Sequence, residues 1–414
     1  MTSASVGSVE AEPELETSYR ALFRIPAMGR ILLGMALSRI AGSMVGVAIV
    51  LFTLERFGSP GLAGLVTFAS AAPGLFIGPI VGALLDRHGR TRLIVLDQLT
   101  AAACLALIAT LAVTNTLTPP LLVLITAVTG LTAPLSSVGL RTLFPLIVPR
   151  HLWERVNAVD SNGYVVATLI GPPAAGVMVQ LLGAPQALYL IGALYTVSAV
   201  AMLRVPDPPT SPATGPLLVA AWDGLRYTLS NPTLRGLGIS LAIQNLAWGI
   251  VTIALPVILL RNLGLGEAMV GIVWAVSGIT GGVGALMAGR WRTQGRERAM
   301  LVWPMAGMAV SVTLILISPT LPVIIAVMAI QGFLNGPMDV ALFTLRQRRT
   351  DPAWLGRAFA VSMSLNFLGY PFGAALGGVL VGYGTGVAIA ATVGITILAA
   401  VSAWALIPRD AGEF

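Results

Sequence analysis

The sequence predicts an all-α, polytopic membrane protein whose twelve transmembrane helices form two pseudo-symmetric sets of six. Three observations predict this fold class: the composition, the distribution of apolar segments and an internal repeat. Of the 414 residues, 56% are hydrophobic and only 10% are charged, and the mean hydropathy is +0.88. Because soluble domains carry about 25% charged residues, this composition indicates a chain that lies mostly within a lipid bilayer.

The apolar segments have the length of membrane-spanning helices. A spanning helix needs about 20 consecutive, mainly apolar residues. The sequence contains twelve such segments, approximately at 31–54, 62–85, 93–114, 119–141, 157–181, 184–203, 236–260, 267–289, 299–318, 321–345, 358–382 and 384–407. These spans leave almost no room for a soluble domain.

The basic residues predict how the spans are oriented. All are Arg, because the chain contains no Lys, and those outside the spans lie mostly before span 1 and in the connections 2–3, 4–5, 6–7, 8–9 and 10–11, with Arg409 after span 12. The opposite connections carry only Arg56 and Arg261. Since cytoplasmic connections carry the excess of basic residues, both termini are expected in the cytoplasm. The basicity therefore reflects orientation and does not predict a nucleic-acid partner.

Several classes of chemistry are excluded by residue types that are missing or scattered. Cys104 is the single cysteine and cannot form an internal disulfide. His88 and His151 lie in separate loops and are too few for a metal cluster. Without Lys there is no G-K-[ST] phosphate loop for ATP and no Schiff-base lysine. The sequence therefore predicts no metal, no cofactor and no enzyme.

The predicted organisation has five parts. Residues 1–29 are polar and acidic and are expected to be a disordered cytoplasmic tail. Residues 30–203 and 236–407 are the two six-helix bundles, and 408–414 is a second tail. The proline-rich stretch 204–235 is a cytoplasmic linker, within which Leu217 to Ser230 fits either an interfacial helix or plain linker.

The two halves repeat at a spacing of about 202 residues. The sequence Leu-Arg-Thr-Leu at 140–143 returns as Leu-Phe-Thr-Leu at 342–345, and Arg-Val-Asn-Ala-Val at 155–159 returns as Arg-Ala-Phe-Ala-Val at 357–361. A parallel six-plus-six repeat is typical of secondary transporters, in which the substrate binds between the halves near the midplane.

The most specific motif joins spans 2 and 3. It reads Gly-Ala-Leu-Leu-Asp-Arg-His-Gly-Arg-Thr-Arg at 82–92 and resembles the signature loop of the major facilitator superfamily. The matching positions are Gly82, Asp86, Arg87, Gly89, Arg90 and Arg92. The resemblance implies a conformational latch between the two halves. In the second half Gly295, Arg296 and Arg298 are kept, but Arg292 stands in the position of Asp86.

A second motif lies in span 5. Gly163, Gly171, Pro172 and Gly176 resemble the antiporter-associated pattern of the same superfamily, with Ala167 and Ala175 in place of two glycines. The resemblance favours export. The alternative is ordinary packing of small residues between helices.

Ionisable residues inside the spans are candidates for energy coupling. Arg39, Arg141 and Asp339 lie in spans 1, 4 and 10, which the resemblance places around the central cavity. Asp339 is predicted either to carry a proton or to form a structural ion pair with Arg39, Arg141 or Arg346. Asp97 is a weaker candidate that could instead bridge to a loop arginine, and Asp160 is expected at the interface.

Polar and aromatic residues of spans 7, 10 and 11 are predicted to complete the substrate cavity: Gln244, Asn245, Trp248, Gln331, Asn335, Asn366 and Tyr370. Gln331, Asn335 and Asp339 are spaced by four residues and are expected on one helix face.

Together these features resemble bacterial drug-exporter-like members of the superfamily. They predict a monomeric transporter in the bacterial plasma membrane that exports small hydrophobic molecules by alternating access, driven by protons. A proton-coupled uptake symporter is the first alternative, and a non-transporting receptor or scaffold is the second.

Overall fold

The computed structural model describes residues 18–207, 217–290, 295–351 and 354–408. Within these ranges the regular secondary structure is helical, and no strand occurs. Twelve of the helical segments there are long and apolar enough to cross a membrane. The prediction of twelve spanning helices is therefore confirmed.

The helices of the first half follow a short amino-terminal helix. They are α1 (Tyr19–Arg24), α2 (Met28–Phe57), α3 (Pro60–His88), α4 (Arg90–Val113), α5 (Pro119–Ile147), α6 (Trp153–Leu182) and α7 (Ala184–Met202). A single 3₁₀ turn, Arg150–Leu152, precedes α6.

The helices of the second half follow the segment that joins the halves. They are α8 (Leu217–Ser230), α9 (Pro232–Val257), α10 (Glu267–Ala288), α11 (Glu297–Ile317), α12 (Leu321–Arg348), α13 (Leu355–Phe367), α14 (Gly369–Tyr383) and α15 (Thr385–Leu406). Helix α9 continues into a π turn at Ile258–Asn262, and α13 and α14 together form span 11.

Proline in the first turn begins several of these helices. Helix α3 starts at Pro60, and the Ser59 hydroxyl accepts a hydrogen bond of 3.1 Å from the backbone N–H of Leu62. Helix α9 starts at Pro232, and the Asn231 side chain accepts from two N–H groups of the first turn. Proline is tolerated there because its missing N–H would have no partner within the helix.

The two halves pack their six helices in the same pattern. In the first half α2 contacts α6 and α7, α4 contacts α5 and α7, and α3 contacts α5. In the second half α9 contacts α14 and α15, α11 contacts α12 and α15, and α10 contacts α12. Gly183 and Gly384 end equivalent helices at positive φ, +86° and +132°. The six-plus-six repeat is therefore present in three dimensions.

The halves meet mainly through two pairs of helices, α3 with α14 and α6 with α10. Each pair joins the second span of one half to the fifth span of the other, and we call them the exchanged pairs. A Cβ at Gly64 would overlap the carbonyl oxygen of Ala374, and Phe68 packs edge-to-face on Phe372 with ring centroids 5.3 Å apart. Arg261 also donates to the carbonyl of Gly58 at 2.7 Å across the halves. These contacts lie toward the end of the bundle opposite the α3–α4 loop.

The amino-terminal segment differs from the prediction of disorder over residues 1–29. Helix α1 is capped by the Ser18 hydroxyl, which accepts from Ala21 N at 3.1 Å. Leu22 and Met28 are fully buried in a cluster with residues of α2, α4 and α5. This apolar face stabilises the segment on the first half, whereas residues 1–17 lie outside the described part.

The mid-chain segment contains a helix over Leu217–Ser230, whereas its location at the membrane interface stays a prediction. Tyr227 of this helix stacks on Trp354 with ring centroids 5.0 Å apart. Its hydroxyl also accepts from the backbone N–H of Asp351 at 3.0 Å. Trp222 is 66% exposed. Helix α9 begins four residues before the predicted span, and residues 208–216 lie outside the described part.

Candidate functional site

The α3–α4 loop carries the predicted latch. Helix α3 ends at His88, Gly89 has a φ of +90°, and α4 begins at Arg90. Arg90 Nε donates to Thr142 Oγ1 of α5 at 3.1 Å, which attaches the loop to its own half. Arg87 and Arg92 are exposed. Gly82 and Asp86 belong to α3, but the position of the Asp86 side chain is outside the described part. The latch contact therefore stays a prediction.

The small residues of α6 contact two different helices. A Cβ at Gly163 would lie 2.8 Å from Arg39 Nη1, and one at Gly171 would lie 2.5 Å from Ser43 Cβ, both in α2. Further along, a Cβ at Gly176 would lie 2.5 Å from the carbonyl oxygen of Glu267 in α10. The carbonyl of Pro172 lies where Gly271 of α10 would carry a side chain. This motif therefore forms part of the contact between the halves.

Arg39, Arg141 and Asp160 form a charged cluster within the first half. Arg39 donates from Nη1 to the Asp160 carbonyl and from Nη2 to Asp160 Oδ1, both at 2.5 Å. Arg141 Nε lies 3.8 Å from Asp160 Oδ2. The Arg39 guanidinium lies 3.7 Å from the ring centroid of Tyr164, and that of Arg141 lies 5.0 Å from it.

Asp160 and Tyr164 were not among the predicted site residues. Asp160 was expected at the interface but is 9% exposed. The sequence around Asp160 does not predict its ion pair, because its partner Arg39 is 121 positions away. An arginine within span 1 was the available signal that a carboxylate lay opposite it.

The polar contact of Asp339 lies within its own helix. Asn335, one turn earlier on α12, donates from Nδ2 to Asp339 Oδ2 at 2.8 Å. Within the described ranges Asp339 forms no ion pair. The alternative prediction of an ion pair with Arg39, Arg141 or Arg346 is therefore not met there. Asp339 is a carboxylate whose described polar partner is a neutral amide.

Asp97 of α4 also differs from its predicted surroundings. It is 5% exposed, and its carboxylate faces Ser136 and Thr132 on α5. The expected bridge to a loop arginine is absent among the described contacts. Asp97 instead lies between α4 and α5 inside the first half.

Gln244 and Gln331 face the interior of the second half and not the space between the halves. Gln331 Nε2 donates at 2.9 Å to Met308 O and to Ser311 Oγ of α11. Together with Trp248 they line a small cavity among α9, α11, α12 and α15. Each four-residue step rotates the side-chain direction around the helix axis by about 40°. After the two steps from Gln331 to Asp339, the two side chains therefore point to different sides of α12.

Asn245, Asn366 and Tyr370 connect helices of the second half. Asn245 Nδ2 donates to the Asn366 carbonyl at 3.0 Å, which joins α9 to α13. With its amide oriented to satisfy both ends, Asn366 accepts from Arg346 Nη2 at 2.7 Å. The Tyr370 side chain lies near Thr252 of α9. These predicted cavity residues therefore have partners within their own half.

Comparison with known proteins agrees with this architecture. The sequence model of the Major Facilitator Superfamily matches residues 31–243 and 237–413, one match to each half. An uncharacterized MFS-type transporter, y4rN of Sinorhizobium fredii, is 38% identical over 96% of this chain and 99% of its own length. The multidrug efflux pump Tap of Mycolicibacterium fortuitum is 27% identical over 85% of this chain and 89% of its own length.

A solved structure shares the fold. The crystal structure of a bacterial homologue of the iron transporter ferroportin, in an inward-facing state, superimposes with a TM-score of 0.72 at 16% identity. It covers 92% of this chain and 98% of the other. At this identity the match concerns the fold alone.

Proposed function

Because the chain belongs to the major facilitator superfamily, we propose that this multi-pass membrane transporter exports small hydrophobic molecules in exchange for protons. The similarity to a named multidrug efflux pump over most of both chains supports export. Both termini would lie in the cytoplasm of a bacterial cell, because cytoplasmic connections of membrane proteins carry the excess of basic residues and the arginine-rich connections of this chain are those on the side of its termini.

In this orientation, the contacts between the halves indicate which side of the membrane is closed. The halves are in contact through α3–α14 and α6–α10 toward the end opposite the α3–α4 loop. With the loop in the cytoplasm, that end faces outward. The protein would therefore be closed to the outside in this conformation.

Asp339 is the proposed proton carrier, and the observation that carries this assignment is its hydrogen bond to an uncharged side chain within a membrane span. Its partner is the neutral amide of Asn335. Asp160 is less suitable because Arg39 holds it with two hydrogen bonds. Protonating Asp160 would leave the largely buried Arg39 without a counter-charge, which is costly in a low-dielectric interior.

Arg141 favours the uptake symporter as the second candidate. Its side chain is 58% exposed, and the guanidinium lies beside the ring of Tyr164. An accessible guanidinium could bind the carboxylate of a solute. Efflux predicts that cells containing the protein accumulate less of a substrate than cells without it, whereas a symporter predicts that they accumulate more.

The proposal can be tested with a panel of dyes and antibiotics, measured with and without an uncoupler in cells and in inside-out vesicles. Asp339→Asn should lose gradient-driven transport, because the side chain no longer binds a proton. It should retain exchange of labelled for unlabelled substrate, which needs no net proton movement. Asp339→Glu is the control that keeps the carboxylate and should retain gradient-driven transport. Normal gradient-driven transport by Asp339→Asn would exclude Asp339 as the carrier.

A further inference from the structure

Asp207 lies at the beginning of the segment that joins the two halves, and its carboxylate reaches the start of α4. Oδ1 accepts a hydrogen bond of 2.6 Å from the backbone N–H of Thr91, and Oδ2 accepts one of 3.4 Å from that of Arg92. The N–H groups of a first helical turn have no partner within the helix. Asp207 therefore caps α4 from 116 positions away in the sequence.

Gly89 leaves room for this distant cap. It occupies the position before α4 at which a side chain usually provides the cap, and it has none to offer. A Cβ on Gly89 would overlap Asp207 Oδ2. Its φ of +90° also disfavours any other residue. The glycine of the latch motif thus admits the carboxylate into the loop.

Asp207 is held in place by the residues that precede it. The backbone N–H of Val205 donates to the Met202 carbonyl at 2.9 Å, so the chain turns immediately after α7. Val205 is 4% exposed and packs in the same apolar cluster as Ile94 of α4 and Leu140 of α5. The chain that carries the carboxylate is consequently anchored to the first half.

We propose that Asp207 is a positioning residue for the latch loop, tying the start of α4 to the beginning of the inter-half segment. The loop then moves with the first half as one body and keeps a fixed register when the halves rock. This inference rests on the proposed transport function. Loss of the cap should slow the interconversion of conformations and leave substrate affinity largely unchanged.

The first test measures the cap directly, without transport. In the full-length protein in detergent or nanodiscs, Asp207→Ala should accelerate hydrogen–deuterium exchange in peptides covering residues 86–95. Asp207→Asn should restore protection, because an asparagine side chain also accepts from first-turn N–H groups. Asp223→Ala removes a carboxylate from α8 in the same inter-half segment and serves as the control. Unchanged exchange in Asp207→Ala would overturn the proposal, whether or not the protein transports.

The second test measures transport kinetics. Asp207→Ala should lower the maximal rate about fivefold, the effect of raising the barrier to interconversion by the free energy of one lost cap, with KM changed less than twofold. Asp207→Asn should recover most of the rate. Gly89→Ala should cost more in the wild type than in Asp207→Ala, since the two residues share one contact. Faster exchange with an unaltered rate, or a rise in KM alone, would contradict the positioning role.

Discussion

At the scale of single residues, Asp160 allows an arginine to remain inside the first half. The side chains of Arg39 and Asp160 are only 7% and 12% exposed, and their atoms approach to 2.5 Å. Removing one partner of such a buried pair costs about 3–5 kcal/mol, because the other charge is left uncompensated. The Arg141 contact is longer and more exposed, and exposed pairs contribute about 0–1 kcal/mol.

The first prediction follows from this difference. Asp160→Asn should lower the thermal stability of the purified protein strongly, since Arg39 keeps its charge without a counter-charge. The double variant Arg39→Gln with Asp160→Asn should recover part of the loss, because a neutral pair can form a hydrogen bond. Arg141→Gln is the control and should change the melting temperature little. Equal losses for Asp160→Asn and Arg141→Gln would show that the Arg39 pair is not the stabilising contact.

The residue scale also shows which contacts a sequence can predict. The Asn335–Asp339 hydrogen bond joins two residues one turn apart, and their spacing predicted that they share a helix face. The Arg39–Asp160 pair joins α2 to α6 across 121 positions, and nothing local to Asp160 indicated it. Gln331 does not share the face of Asp339, although the spacing of four residues predicted that it would. The rotation that accumulates along α12 turns its amide toward α11.

At the scale of elements, glycines set the distance between α9 and α14. Gly373 and Gly377 lie four residues apart on α14, and added Cβ atoms would run into the backbone of α9 at Leu246 and Ile250. Close backbone approach of this kind is a principal source of helix association in membranes, where the hydrophobic effect does not distinguish helix from lipid. The contact therefore depends on the absence of side chains.

The second prediction compares two glycines of the same helix. Gly373→Ala should destabilise the protein by about 1–3 kcal/mol, because the new methyl group would overlap the Leu246 carbonyl and force the helices apart. Gly382→Ala has no atom within 4 Å and should be neutral or stabilise by about 0.5–1 kcal/mol. Thermal or denaturant unfolding in the same detergent measures both. A destabilised Gly382→Ala beside an unaffected Gly373→Ala would refute this account of the interface.

Hydropathy predicted that the spanning helices exist, whereas some of their ends depend on particular residues that hydropathy does not register. The break between α13 and α14 was not predicted, although Pro371 provides a reason for it. Proline has no N–H to donate to the carbonyl four residues earlier, which here is that of Phe367, the last residue of α13. Helix α1 was missed because it is too short for a hydropathy window, yet Leu22 gives it a buried anchor.

At the scale of the whole molecule, the repeat in the sequence predicted two equivalent halves but not which faces meet. The exchanged pairs α3–α14 and α6–α10 arise because each half contributes its second and fifth spans to the contact. The glycines there, Gly64, Gly176 and Gly271, are recognisable only once the partner backbone is known. A small residue in a span has the same appearance whether it faces lipid, its own half or the other half.

The third prediction uses the contact at the end opposite the latch loop. Gln180 of α6 accepts from the backbone N–H of Ala268 of α10 at 3.0 Å across the halves, whereas Arg56 donates to Asn115 at 2.6 Å within one half. In a Cys104→Ser background, a short bis-thiosulfonate cross-linker that forms a disulfide with each thiol of Gln180→Cys and Ala268→Cys should stop transport, because rocking must separate these helices. The cross-linked control, Arg56→Cys with Asn115→Cys, should remain active, and a reductant should restore the first pair. Full transport by the cross-linked Gln180→Cys, Ala268→Cys protein would mean that the halves do not part at this end.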